Sequence, residues 1–86
     1  MKQVIVSGST GFIGTYFVEY LIKQNISVIA LGRKNYNEIS FRRRKLLEGS
    51  NYISINMKNI YNLDLELHKQ KISIGEECVF FNLAWG

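Results

Sequence analysis

A chain of 86 residues with a net charge of +4 makes at most one small domain, near the size at which a single core is barely sufficient. Its apolar fraction of 47% and charged fraction of 21% are those of an ordinary globular chain, and no run approaches the ~20 apolar residues of a membrane span. The N-terminus enters a strand pattern rather than a signal peptide, and the lone Cys78 cannot close an intrachain disulfide, so a cytoplasmic location is expected.

Residues 2 to 7 form a continuous apolar run, the pattern of a central parallel strand covered on both faces. Gly8-Ser9-Thr10-Gly11-Phe12-Ile13-Gly14 follows at once, with glycines spaced G-x-x-G-x-x-G. From Phe12 to Gln24 the spacing of Ile13, Phe17, Tyr20 and Leu21 fits one helical face, and Asn25 suits a left-handed C-cap. Strand, glycine turn and helix in that order are what dinucleotide binding needs. Gly8 makes the tight turn, and small residues let the backbone approach a pyrophosphate. The first amides of the helix supply the anion site, while Gly14 allows the helix to sit close to the strand.

Ser27 to Leu31 reads as the second strand. A polar loop from Gly32 to about Ser40 leads to a short basic helix ending near Gly49. Between residues 33 and 45, six cations (Arg33, Lys34, Arg42, Arg43, Arg44 and Lys45) face Glu38 alone, a local balance of +5 that leaves −1 for the rest. The cluster has no interleaved aromatics and no nucleic-acid motif, so no nucleic-acid partner is expected, and Arg42 to Lys45 read as a solvated helix face. Tyr52 to Ile55 is a third, short strand. Ile60, Leu63, Leu67 and Ile74 mark a looser helical stretch, with His68 on its exposed side and nothing at metal-ligand spacing. Val79 to Leu83 is the fourth strand. Cys78 reads as a small apolar residue beside it rather than a catalytic thiol.

Strand–helix alternation predicts an α/β, Rossmann-like parallel sheet of order 3-2-1-4, the N-terminal half of a doubly wound fold. Its ligand crevice would lie at the carboxyl ends of strands 1 and 4. Strand 4 would be left as a bare edge, a site for association with a second copy.

The wording Ser7-Gly8-Ser9-Thr10-Gly11-Phe12-Ile13-Gly14 resembles the T-G-x-x-G-F-I-G segment of the extended short-chain dehydrogenase/reductase superfamily, the NAD(P)-dependent nucleotide-sugar epimerases and dehydratases. Phe80-Phe81-Asn82-Leu83-Ala84-Trp85-Gly86 is similar to that family's strand-4 signature V-F-H-L-A-A, with Asn82 in place of histidine. The resemblance implies that amides around Thr10 to Ile13 hold the pyrophosphate. It also implies that Asn56, followed by Met57, stands where an aspartate receives the adenine amino group. Leu83 and Ala84 would lie beneath the nicotinamide-side ribose. The family's catalytic Ser or Thr and Tyr-x-x-x-Lys pair would lie beyond residue 86, and no Tyr-x-x-x-Lys occurs in this sequence. Residues 1–86 then read as a truncated cofactor-binding domain whose full-length protein takes a nucleotide-sugar substrate.

The end of the second strand discriminates between the cofactors. NAD-specific members carry an acidic ribose ligand about twenty residues after the turn. Here Gly32 occupies that position and Arg33-Lys34 follow. Glycine makes room for a 2′-phosphate and a guanidinium pairs with it, so NADP(H) is favoured, with NAD(H) the alternative. Two further readings stay open: a non-catalytic redox-sensing nucleotide module, and a degenerate domain kept for self-association.

Overall fold

The chain runs β1 (Gln3–Ser7), α1 (Phe12–Lys23), β2 (Ser27–Gly32), α2 (Phe41–Leu47), β3 (Asn51–Ser54), α3 (Leu63–Lys69) and β4 (Cys78–Asn82). The computed structural model describes residues 2–72, 74–75 and 77–83, with backbone alone at Met57 and Lys58. Short 3-10 turns at Tyr36–Glu38 and Met57–Asn62 precede α2 and α3. All strand pairs are parallel, in the order β3-β2-β1-β4 expected from the alternation.

The apolar run of β1 is explained by two cores, one on each side of the sheet. Val4 and Val6 join Val28, Ala30, Val18, Leu21, Ile39 and Leu47 beneath α1 and α2. Ile5 joins Ile29, Leu31, Ile53, Ile55, Leu63 and Leu67 beneath α3. Successive side chains of a strand point to opposite faces, so a strand covered on both sides must be apolar throughout. Helix α2 has only seven residues, too few to persist alone. Burial of Leu47 and of the preceding Ile39 holds it against α1.

Three expectations shift. The buried face of α1 is Gly14, Thr15, Val18 and Leu21, with Phe17 half-buried; Ile13 and Tyr20 are exposed. Small residues take the inner positions because α1 approaches the glycine turn too closely for large ones. Arg43 and Arg44 are half-buried rather than solvated, because the first turn of α2 lies against α1 and the loop after β2. Ile74 lies past the end of α3 and is exposed. Asn25 adopts the left-handed conformation expected of it, with φ of 60°. Strand β4 is an edge strand on which Val79, Phe80 and Phe81 are exposed. Among the described residues no helix is long and apolar enough to cross a membrane.

Candidate functional site

The carboxyl ends of the strands gather at one edge of the sheet. The strand order reverses there between β1 and β4, where open α/β sheets receive ligands. Chain leaving β1 turns at Gly8, whose φ of 71° is a conformation glycine adopts without strain. Ser9 then fastens the turn to the end of β2: its amide and its Oγ both donate to the Leu31 carbonyl, at 3.0 and 2.8 Å. The Gly11 amide donates to the Gly8 carbonyl at 3.1 Å. The Thr15 hydroxyl lies within donating reach of the Ser9 and Gly11 carbonyls, at 2.8 and 2.6 Å. The Gly8, Ser9 and Gly11 carbonyls are thus bound inward, by groups of the turn and of α1.

The amides tell the opposite story. The first-turn amides of α1, from Phe12 onward, have no acceptor within the helix. The N-cap is Gly11, which has no side chain to offer, and no acidic residue stands in the first turn. Helix α1 therefore presents its positive end uncovered by its own side chains. A Cβ on Gly14 would run into the Gly8 carbonyl oxygen and come within 2.8 Å of its carbon and 3.1 Å of the Ser9 Cα. That contact sets how near the helix comes to the turn. Phe12 and Ile13 are exposed, so their side chains add nothing to the fold's core.

A basic wall stands beside the turn. A cavity of about 400 Å³ is lined by Thr10, Phe12, Thr15 and Tyr16 on one side and by Lys34, Ser40, Arg42 and Arg43 on the other. Arg43 donates from Nη1 to the Thr10 carbonyl at 2.8 Å, binding α2 to the glycine turn. Ser40 caps α2 by accepting from the Arg43 amide at 3.4 Å, which puts Arg43 in the first helical turn, facing α1. Lys34 lines the cavity, whereas Arg33 is not among its lining residues and is exposed in the loop. The loop itself is tethered to β3, since Ser54 Oγ donates to the Arg33 carbonyl at 3.3 Å and the Tyr52 hydroxyl to that of Lys34 at 2.5 Å.

The space expected at Gly32 is already occupied. A Cβ there would meet the Tyr52 hydroxyl and the Thr10 methyl, so the glycine gives close packing rather than an open berth. Burial, helped by the negative charge of Glu38, pushes the Tyr52 hydroxyl up to about 12, so it remains a donor.

Along the rest of the edge, Asn56 is exposed just after β3 and its carbonyl accepts from the Asn59 amide at 2.7 Å. Met57 opens the following 3-10 turn, and its side chain lies outside the described residues. Leu83 is half-buried beyond β4 and donates its amide to the Ser7 carbonyl at 3.2 Å; Ala84 lies outside the described residues. Buried Ser7 donates to Asn82 Oδ1 at 2.6 Å, joining the ends of β1 and β4 at the point of reversal. Burial pushes the Cys78 thiol up, away from the reactive thiolate. Among the described residues no group of three or more His, Cys, Asp or Glu could hold a metal ion.

Sequence reasoning missed Arg43 and Tyr52. The signal for Arg43 was its place three residues after a serine cap, which fixes it in the first turn of α2. For Tyr52 it was a large polar aromatic on β3 paired across the sheet with Ala30, two residues before Gly32.

The model of the "NAD dependent epimerase/dehydratase family" matches residues 4–77. Among solved structures, the fold is similar to dTDP-glucose 4,6-dehydratase from Bacillus anthracis in complex with NAD, with a TM-score of 0.71 and 19% identity. That match covers 100% of this chain and 27% of the dehydratase, and at such identity the likeness is one of fold. An uncharacterized protein of Schizosaccharomyces pombe is 40% identical over 42 residues, 49% of this chain and 4% of that protein. The chain therefore spans little more than a quarter of the dehydratase's length and a small fraction of the yeast protein's.

Proposed function

The chain belongs to the NAD dependent epimerase/dehydratase family, and from that premise we propose that residues 1–86 are a dinucleotide-binding unit whose preferred ligand is NADP(H). The observation that carries the reading is the glycine turn. Its carbonyls are bound inward and its close contact at Gly14 brings the uncapped positive end of α1 to the ligand edge. The pyrophosphate lies across Gly8, Ser9, Thr10 and Gly11 and takes amides of Phe12 and Ile13. The adenine lies toward Asn56 and Met57, and the nicotinamide end toward Leu83 and Ala84. Asn56 accepts the adenine amino group through a neutral amide oxygen, without the charge assistance a carboxylate gives.

Preference for the 2′-phosphate is supported by the basic wall. Arg33 and Lys34 follow Gly32, and the cavity adds Arg42 and Arg43 to Lys34. Arg43 spends one donor on Thr10, and its guanidinium keeps others for an anion. In the full-length protein the dinucleotide serves an epimerase, dehydratase or reductase acting on a nucleotide sugar, with the reacting groups supplied outside these residues.

The test is titration of the chain with NADPH and NADH by calorimetry, with amide shifts followed from Gly8 to Gly14. NADPH binds the tighter, and Arg33→Ala or Lys34→Ala each weaken it by about tenfold while leaving NADH nearly unchanged. Raised salt narrows the gap, because exposed charge pairs are screened. Absence of shifts in the turn at millimolar ligand refutes dinucleotide binding. Equal affinities for the two ligands refute the preference alone.

A further inference from the structure

We infer that Tyr52 is a specificity-positioning residue that shuts an acidic ribose ligand out of the end of β2 and fixes the backbone of the cations beside it. The inference rests on the dinucleotide-binding reading above and explains how one cofactor would be chosen within that site.

Parallel pairing sets Tyr52 beside Ala30 and Ser54 beside Gly32. Tyr52 packs on the face that holds Val28 and Ala30. Gly32 follows Ala30 by two residues on β2, so its missing side chain belongs to the same face. Ala30 is small enough for the phenol ring to pass, and the hydroxyl arrives where a Cβ on Gly32 would stand. That Cβ would collide with the hydroxyl and lie 3.2 Å from Tyr52 Cε1 and 2.7 Å from the Thr10 methyl. Any carboxylate offered to the ribose from this position must begin with that atom. With Tyr52 where it is, such an atom can stand there only if the phenol and the Thr10 methyl shift.

The same hydroxyl has a second task. It donates to the Lys34 carbonyl at 2.5 Å, beside the Ser54 hydroxyl on that of Arg33. Both carbonyls of the cation pair are thereby turned toward β3, which fixes where the two side chains start. The ring is braced in turn. Tyr36 packs against it with centroids 5.8 Å apart, and the Arg44 guanidinium lies 5.9 Å over Tyr36. Since burial keeps the phenol protonated, the group that replaces the carboxylate carries no negative charge to repel a phosphate.

The steric half is read without any ligand. Gly32→Ala lowers the Tm of the parent chain by about 5 °C or more, because overpacking finds no room. In a Tyr52→Ala background the same change costs much less, since the remaining neighbour is a methyl that can rotate away. Equal losses in both backgrounds overturn the inference. The positioning half is read as the ratio of NADPH to NADH affinity. Tyr52→Phe keeps the ring, loses the hydroxyl, and lowers that ratio by about threefold to tenfold through NADPH alone. Gly32→Asp gains no NADH affinity by itself, whereas Gly32→Asp with Tyr52→Ala does. An unchanged ratio in Tyr52→Phe, or an NADH gain in Gly32→Asp alone at unchanged Tm, overturns the inference. A parent that binds neither cofactor refutes the underlying reading instead, and the Tm comparison still decides the steric claim.

Discussion

Gly14→Ala is the sharpest probe of the turn, because the atoms it strikes cannot move aside. The added methyl would meet the Gly8 carbonyl oxygen, with the Gly8 carbon at 2.8 Å and the Ser9 Cα at 3.1 Å, and all three belong to backbone. That backbone is pinned in turn by two bonds from Ser9 to the Leu31 carbonyl and by the Thr15 hydroxyl. Overpacking costs about 1–3 kcal/mol, and a rigid target places this case toward the upper end. Against it, alanine inside a helix gains about 1 kcal/mol over glycine. The net loss is about 1–2 kcal/mol, from a total stability of roughly 4–13 kcal/mol for a chain of this size. For a domain of this size that lowers Tm by about 4–16 °C.

Thermal unfolding followed by circular dichroism measures it, with Gly11→Ser as the contrast. A Cβ at Gly11 meets only the Gly8 oxygen at 3.4 Å, an ordinary contact, and serine is a good N-cap. Gly11→Ser keeps its Tm but loses dinucleotide affinity, since its side chain stands at the mouth of the anion site. Gly14→Ala loses both. An unaltered Tm in Gly14→Ala would show that α1 does not rest on the turn at that atom, and the account of the site would fail with it.

Two further outcomes follow from burial. The Tyr52 hydroxyl is raised from 10.0 to about 12, so Tyr52 contributes stability that is complete below about pH 10 and is lost as pH rises toward 12. Tm measured across that window falls more steeply in the parent than in Tyr52→Phe, and parallel curves would contradict the burial of the group. Among the described residues β4 pairs with β1 alone, and exposed Val79, Phe80 and Phe81 offer its outer side to a second copy. Sedimentation shows mass rising with concentration in the parent and falling back in Phe80→Lys; a clean monomer at high concentration would refute edge pairing.

The fold was legible because its signals are local and consistent. The apolar run of β1, the glycine turn and the strand–helix alternation each imply the same parallel sheet, and β3-β2-β1-β4 is the order they imply. Asn25 was legible for a similar reason: few residues accept its left-handed backbone. The inner face of α1 was not legible from hydrophobicity, because the closest approach selects Gly14 and Thr15 for size while leaving Ile13 and Tyr20 outside. The basic run misled in the same way. Charge marked residues 42 to 45 as a solvated face, but α2 packs on α1 and carries Arg43 to the Thr10 carbonyl. That a glycine, Gly32, stands at the end of β2, where no side chain can be offered, was legible. What fills its space depends on Tyr52, twenty residues on, and only strand register brings the two together.

These features divide the ligand edge into two parts with different physics. The part built on Gly8 to Gly14 works through backbone. Its conformation is fixed by positive φ, by inward-bound carbonyls and by a contact that tolerates no Cβ. A change at Gly14 must move fold and affinity together, because the backbone it would strike is the backbone of the turn. The part built on Lys34, Arg43 and Tyr52 works through side chains and the loop they anchor. A change there can alter the choice between ligands while the core beneath α1 and α2 stays intact. Coupled loss of Tm and affinity is therefore the signature of the Gly14 contact, and a shifted cofactor ratio at little-changed Tm is the signature of the wall. A variant of the wall that lost affinity for both cofactors equally would show that the two parts are not separate.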